Sequence, residues 1–112
     1  MAPLITKHLD DIRSICRDYG VARLEVFGSV VSGGFDPASS DADFIVTYPR
    51  GYNFGPWLTR FNELEERLAL LLGLSVDLVM ATAPAMSNKH FRREADRTRV
   101  VVYDASQVAE VA

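Results

Sequence analysis

The sequence predicts an α+β fold in a single domain over residues 1–112, built around a mixed sheet. Three observations lead there. Stretches with helical spacing of apolar residues interleave with stretches of strand spacing, in the order helix, strand, loop, strand, helix, strand, helix, strand. Apolar residues make up 48% of the 112, enough to bury a core without disulfides or a structural metal. Glycine and proline punctuate the stretches, and no internal repeat or low-complexity tract interrupts them.

The first helix is read from Leu4, Ile5, Leu9, Ile12, Ile15, Cys16 and Tyr19, which recur at steps of three and four, with Gly20 as its stop. Residues 21–28 alternate as a strand, Leu24 and Val26 on one face and Arg23, Glu25 and Phe27 on the other. The stretch from Gly28 to Ser40 is rich in Gly and Ser and reads as loop, with a short helical turn starting at Ser29. Residues 43–48 are β-branched and aromatic, hence a second strand. A second long helix spans residues 56–72, where Trp57, Phe61, Leu64, Leu68 and Leu71 form one stripe and Gly73 follows. That stripe places Trp57 in the core. Residues 75–81 are apolar on both faces except at Asp77, which predicts a central strand. Residues 86–96 form a basic amphipathic helix and residues 99–103 a last strand; the Ala-rich end frays.

Composition narrows the function. A formal charge of −3 argues against a nucleic-acid-binding module, which normally carries a basic excess. The lone cysteine, Cys16, lies on an apolar stripe and is expected in the core; no Cys/His spacing suggests zinc. His8 and His90 are expected at the surface. The first residues lack an uninterrupted apolar segment, and no apolar run approaches the roughly 18 residues of a membrane span, so a cytoplasmic location is expected.

The chemistry lies in the aspartates. Residues i and i+2 of an extended chain share a face, so Asp41 and Asp43 stand side by side. Two adjacent carboxylates repel, and a divalent cation between them removes that cost; magnesium suits such oxygen donors and leaves room for phosphate oxygens. An isolated Asp-x-Asp also serves in turns and caps. Asp77 is more telling, because a carboxylate between Val76 and Leu78 is costly unless paired or bound to metal. Arg23 or Arg99 could pair with it. If instead its strand lies beside residues 43–48, three carboxylates meet. Gly28 and Ser29, at a strand end, suit a phosphate: glycine permits close approach, and the hydroxyl and free N–H groups bind oxygens. Three carboxylates holding two magnesium ions beside a phosphate loop describe in-line displacement at phosphorus.

Taken together, Phe27-Gly28-Ser29, then Asp41-Ala42-Asp43, then Val76-Asp77-Leu78 resemble the signature of the DNA polymerase beta-like nucleotidyltransferases. Gly28-Ser29-x-x-x-Gly33 followed by Ser40-Asp41-x-Asp43 most resembles the minimal nucleotidyltransferase branch, which includes MntA-type antitoxins paired with HEPN-domain toxins. The likeness runs through residues 89–103. It implies a magnesium-dependent nucleotidyltransferase that takes ATP, holds its triphosphate at Gly28 and Ser29, ligates two Mg²⁺ ions through Asp41, Asp43 and Asp77, and transfers AMP to a hydroxyl of a partner protein, a HEPN-type toxin. The chain departs from the pattern in carrying Val30 and Ser32 where members often carry arginines; Lys89, Arg92, Arg93, Arg97 and Arg99 are the available substitutes, although such charges are commonly a solvated helix face. The resemblance leaves two other functions open. One is an antitoxin that neutralises its toxin by contact with little catalysis. The other is transfer to a small molecule, as in aminoglycoside nucleotidyltransferases, which would require oligomerisation to supply a substrate domain. Neither membrane nor direct nucleic-acid binding is expected.

Overall fold

The computed structural model of the chain describes residues 1–33, 36 and 41–108. Four strands, β1 (Arg23–Phe27), β2 (Ala42–Thr47), β3 (Val76–Met80) and β4 (Val100–Asp104), make one sheet in the order β3-β2-β1-β4. β1 runs antiparallel to β2 and β4, and β2 runs parallel to β3. The mixed sheet is as expected, but β3 is an edge strand and not a central one. Its apolar run reflects helix cover on one face and partial cover on the other; such a run carries no information about lateral neighbours. Each edge strand has a side chain bonded to its main chain. Leu78 N–H donates to the Glu65 carboxylate at 3.0 Å, and Arg13 Nε donates to the Val102 carbonyl at 3.0 Å. Contacts of this kind blunt sheet edges against pairing with other chains.

Helices α1 (Pro3–Lys7), α2 (Leu9–Asp18) and α4 (Thr59–Leu72) cover one face of the sheet. The single first helix expected is two, because His8 N–H bonds the Ile5 carbonyl at 3.2 Å and closes the turn tightly before α2 begins. Leu24, Val26, Phe44, Val46 and Leu78 meet Ile5, Ile12, Cys16, Leu64 and Leu68 in the main core. Burial pushes the Cys16 thiol up to about 12, as befits a core residue. Between β1 and β2 lies α3 (Ser29–Ser32), the short turn expected at Ser29. Residues 34, 35 and 37–40 of the expected loop, Ser40 among them, and residues 109–112 of the Ala-rich end lie outside the described residues.

The opposite face carries α5 (Lys89–Thr98), with Phe91 and Ala95 against Phe27 and Ile45. Phe91 meets Phe27 edge to face, ring centroids 5.7 Å apart. The helix begins at residue 89, not 86, because Asn88 caps it by accepting from His90 N–H and Phe91 N–H at 2.9 and 3.2 Å. A final short helix, α6 (Ala105–Val108), follows β4.

Trp57 contradicts its expected place. Pro56–Leu58 is a 3₁₀ turn and not the first turn of α4, and Trp57 and Leu58 both have φ of +56°. That backbone turns the indole outward, leaving it 93% exposed. The buried stripe of α4 is Leu64, Leu68 and Leu72, with Phe61 and Leu71 only half-buried. A left-handed backbone costs a residue with a Cβ about 1–2 kcal/mol, and an indole this exposed returns little by burial. Trp57→Gly is therefore expected to raise the unfolding free energy by about 1 kcal/mol in denaturant melts; a loss of stability would show that the indole supports the fold.

Candidate active site

Strand register brings the expected residues together. Asp43 lies opposite Phe27 across the β1–β2 ladder and opposite Asp77 across the β2–β3 ladder. Opposed residues on neighbouring strands share a face, and alternation puts Asp43 with Ile45 on the face that α5 covers. Asp43 and Asp77 thus project side by side beyond the cover of α5. Asp41 precedes β2 and is exposed, as is Asp77, while Asp43 is half-buried. Burial first, then the charges of Asp77 and Asp41, push the Asp43 carboxyl from its ordinary 3.8 to about 6. Three anionic groups from two strands and the segment before one of them therefore share one field.

The Gly28 turn closes against this group. Gly28 follows Phe27, the residue opposite Asp43, and has φ +82° and ψ −150°, a region essentially reserved for glycine. A Cβ there would stand 2.8 Å from Asp43 Oδ2. The missing side chain is what lets the carboxylate sit against the turn. Ser29, half-buried, opens α3 directly behind it.

Arg23 and Arg99, the candidate salt-bridge partners of Asp77, are engaged elsewhere. Arg23 pairs with Asp104 at 3.4 Å. Arg99 grips the buried Glu25 with two hydrogen bonds of 2.9 Å and Asp96 with one of 2.8 Å. Among the described residues, no group of three or more His, Cys, Asp or Glu side chains is placed to hold a metal ion. The donor set is nonetheless all carboxylate. It suits a hard cation that binds through one or two carboxylates and completes its shell with phosphate oxygens, as magnesium does.

The cation positions also find an explanation. Val30 is buried at 1% exposure in the main core, so an apolar residue is what α3 requires there; Ser32 is exposed. Arg97 pairs with Glu94 at 2.9 Å. Lys89, Arg92 and Arg93 are exposed and line an open cavity on α5 with Ser87, Asp96 and Arg97. That is the solvated helix face. His90 is exposed, and His8 lies 3.9 Å from Asp11.

Two features at the site escaped sequence reading. Gly28 N–H donates to Thr98 Oγ1 at 2.8 Å, across 70 residues of sequence. Glu25 carries the buried ion pair with Arg99. A glutamate inside a strand otherwise set among apolar residues was the available signal for the second; nothing local marks the first.

The chain matches the family model of the Nucleotidyltransferase domain across residues 9–104, and it belongs to that family. Among curated proteins it is 40% identical over 80 residues to Protein adenylyltransferase MntA of Thermococcus cleftensis, a match spanning 71% of this chain and 73% of that protein. Among solved structures it is similar to one described as a minimal nucleotidyltransferase, at 30% identity and a TM-score of 0.63 over 89% of this chain and 95% of the other. A chain of a toxin–antitoxin structure solved with AMP-PNP superposes with a TM-score of 0.65, over 92% of this chain and 78% of that one. At 22% identity, this last likeness is one of fold alone.

Proposed function

We propose that the protein transfers AMP from ATP to a hydroxyl side chain of a partner protein, as the antitoxin of a HEPN-type toxin. The observation that carries this reading is the pairing of Asp43 with Asp77 across parallel strands, beside a glycine turn that only a residue without a Cβ could make. The names of relatives support the acceptor class: the Thermococcus cleftensis relative is a protein adenylyltransferase, and one structural neighbour comes from a complex of a tri-AMPylated HEPN toxin with an MNT antitoxin.

In this reading the acceptor oxygen attacks the α-phosphorus of ATP, the α–β phosphoanhydride bond breaks, and pyrophosphate leaves. Gly28 and Ser29 hold the triphosphate by backbone approach and hydroxyl donation. Asp41 and Asp43 would ligate two Mg²⁺ ions, and Asp77 would ligate one of them. Magnesium, when bound, supplies charge neutralisation at the phosphate oxygens and acidifies the acceptor hydroxyl. Asp77 is exposed on the edge strand β3, where an acceptor can reach it, and it helps draw off the hydroxyl proton. The half-buried Asp43 holds its place between β1 and β3 and must be ionised to act as a ligand. Among the described residues no helix is long and apolar enough to cross a membrane; we place the protein in the cytoplasm, where ATP and such a partner meet.

A second reading, neutralisation by contact without catalysis, draws on the absence of arginines at Val30 and Ser32. One experiment separates the two. The purified chain, α-labelled ATP, magnesium and a purified HEPN toxin are combined, and label on the toxin is followed. Transfer that vanishes in Asp43→Ala supports the enzyme. Full neutralisation of the toxin by Asp43→Ala, with no label moved by wild type, would replace it with the binder.

A further inference from the structure

We infer that Thr98 is a positioning residue of the nucleotide site, acting through the Gly28 turn; the inference rests on the functional reading above. Gly28 N–H donates to Thr98 Oγ1 at 2.8 Å. The Thr98 hydroxyl in turn lies 3.3 Å from the Glu94 carbonyl and 3.4 Å from the Ala95 carbonyl, so its own proton is directed back into the last turn of α5 and its oxygen is left to accept. An acceptor oriented in this way fixes the direction of the Gly28 amide.

The end of α5 that carries Thr98 is itself held. Arg99 binds Glu25 of β1 through two hydrogen bonds of 2.9 Å, and Glu25 is only 6% exposed. Phe91 and Ala95 of α5 pack against Phe27, the residue before Gly28. A rigid helix end thus meets a turn whose dihedrals only glycine sustains and whose free side abuts Asp43. The Thr98 bond holds Gly28 where Asp43 Oδ2 fits, and it spends the Gly28 amide internally. Within Gly28-Ser29, binding of the triphosphate therefore falls to Ser29 and to the close approach that glycine allows.

The test compares Thr98→Val, which keeps the β-branched shape and loses the acceptor, with Thr98→Ser, which keeps the acceptor and loses the methyl group. ATP binding with magnesium is measured by calorimetry, AMP transfer gives KM for ATP and kcat, and backbone hydrogen exchange follows the Gly28 amide. Loss of one intramolecular hydrogen bond should weaken ATP binding and raise KM by about tenfold in Thr98→Val, with faster exchange at Gly28. Thr98→Ser should bind ATP like wild type. Equal ATP affinity and KM in wild type and Thr98→Val, or equal impairment in Thr98→Ser and Thr98→Val, would overturn the positioning role while leaving the proposed function standing. Absence of ATP binding by wild type would instead bring down the functional reading and this inference with it.

Discussion

Asp43→Asn should abolish AMP transfer and, in the same molecule, make the unliganded protein more stable. The two effects have one cause. The Asp43 carboxylate is half-buried beside Asp77 and Asp41, and its pKa is raised to about 6. A raised carboxyl pKa means that the folded state disfavours the anion. Below pH 3.8 the group is protonated whether folded or not and costs nothing. As pH rises from 3.8 towards 6 the unfolded chain releases its proton first, and the fold loses stability; above 6 the loss is complete. For a fully shielded group this rise would amount to about 3 kcal/mol, and solvent screening of a half-exposed carboxyl leaves about 1 kcal/mol. Asparagine removes the charge at similar shape. Thermal melts should therefore show the variant gaining on wild type between pH 4 and 6, with a constant advantage above. Activity goes the other way. On the proposed function Asp43 ligates the metal, and removing that charge forfeits several kcal/mol of transition-state stabilisation, so transfer should fall by about a thousandfold or more. Wild-type binding of magnesium and ATP should strengthen as pH rises through about 6. An Asn variant less stable than wild type at neutral pH would show that Asp43 is held by favourable contacts and is not under charge strain.

Gly28→Ala should damage both the fold and the site. The backbone at φ +82°, ψ −150° strains any residue with a Cβ by about 1–3 kcal/mol. The added methyl would also stand 2.8 Å from Asp43 Oδ2, closer than such atoms pack, and would push the carboxylate away from the turn. The two contributions can be separated. Asp43→Ala removes the atom that the methyl strikes, so Gly28→Ala should cost less in that background than in wild type, and the remaining cost is the backbone's own. A double-mutant cycle of unfolding free energies measures the difference. Additive effects would mean that turn and carboxylate do not touch.

Much of the site could be read from residues alone because its geometry is short-ranged. Strand alternation in the sequence points Asp41 and Asp43 the same way, although β2 begins only at Ala42, and Asp77 announces itself as a carboxylate in an apolar run. The meeting of Asp43 with Asp77 was conditional on β3 lying beside β2, and the register supplies that condition. The edge position of β3 was hidden, since lateral order depends on partners distant in sequence. Trp57 was misplaced because a period of apolar residues presumes a helical backbone throughout, whereas the chain enters α4 through two residues at positive φ. His8 divided the first helix for a similar local reason. The Thr98 bond to Gly28 spans 70 residues and has no periodic signature, so only the packing of α5 on β1 exposes it.

On the proposed function, Asp41, Asp43 and Asp77 act as one cation-binding group beside a nucleotide's phosphates. The deciding measurement is calorimetric titration of magnesium into the ATP-saturated protein, with the heat of magnesium binding to ATP alone subtracted, in wild type, Asp43→Asn and Asp77→Asn. Wild type should show saturable binding beyond that of ATP itself, and either substitution should remove it. Magnesium binding of the same strength in all three proteins, or none to wild type with ATP present, would contradict that reading.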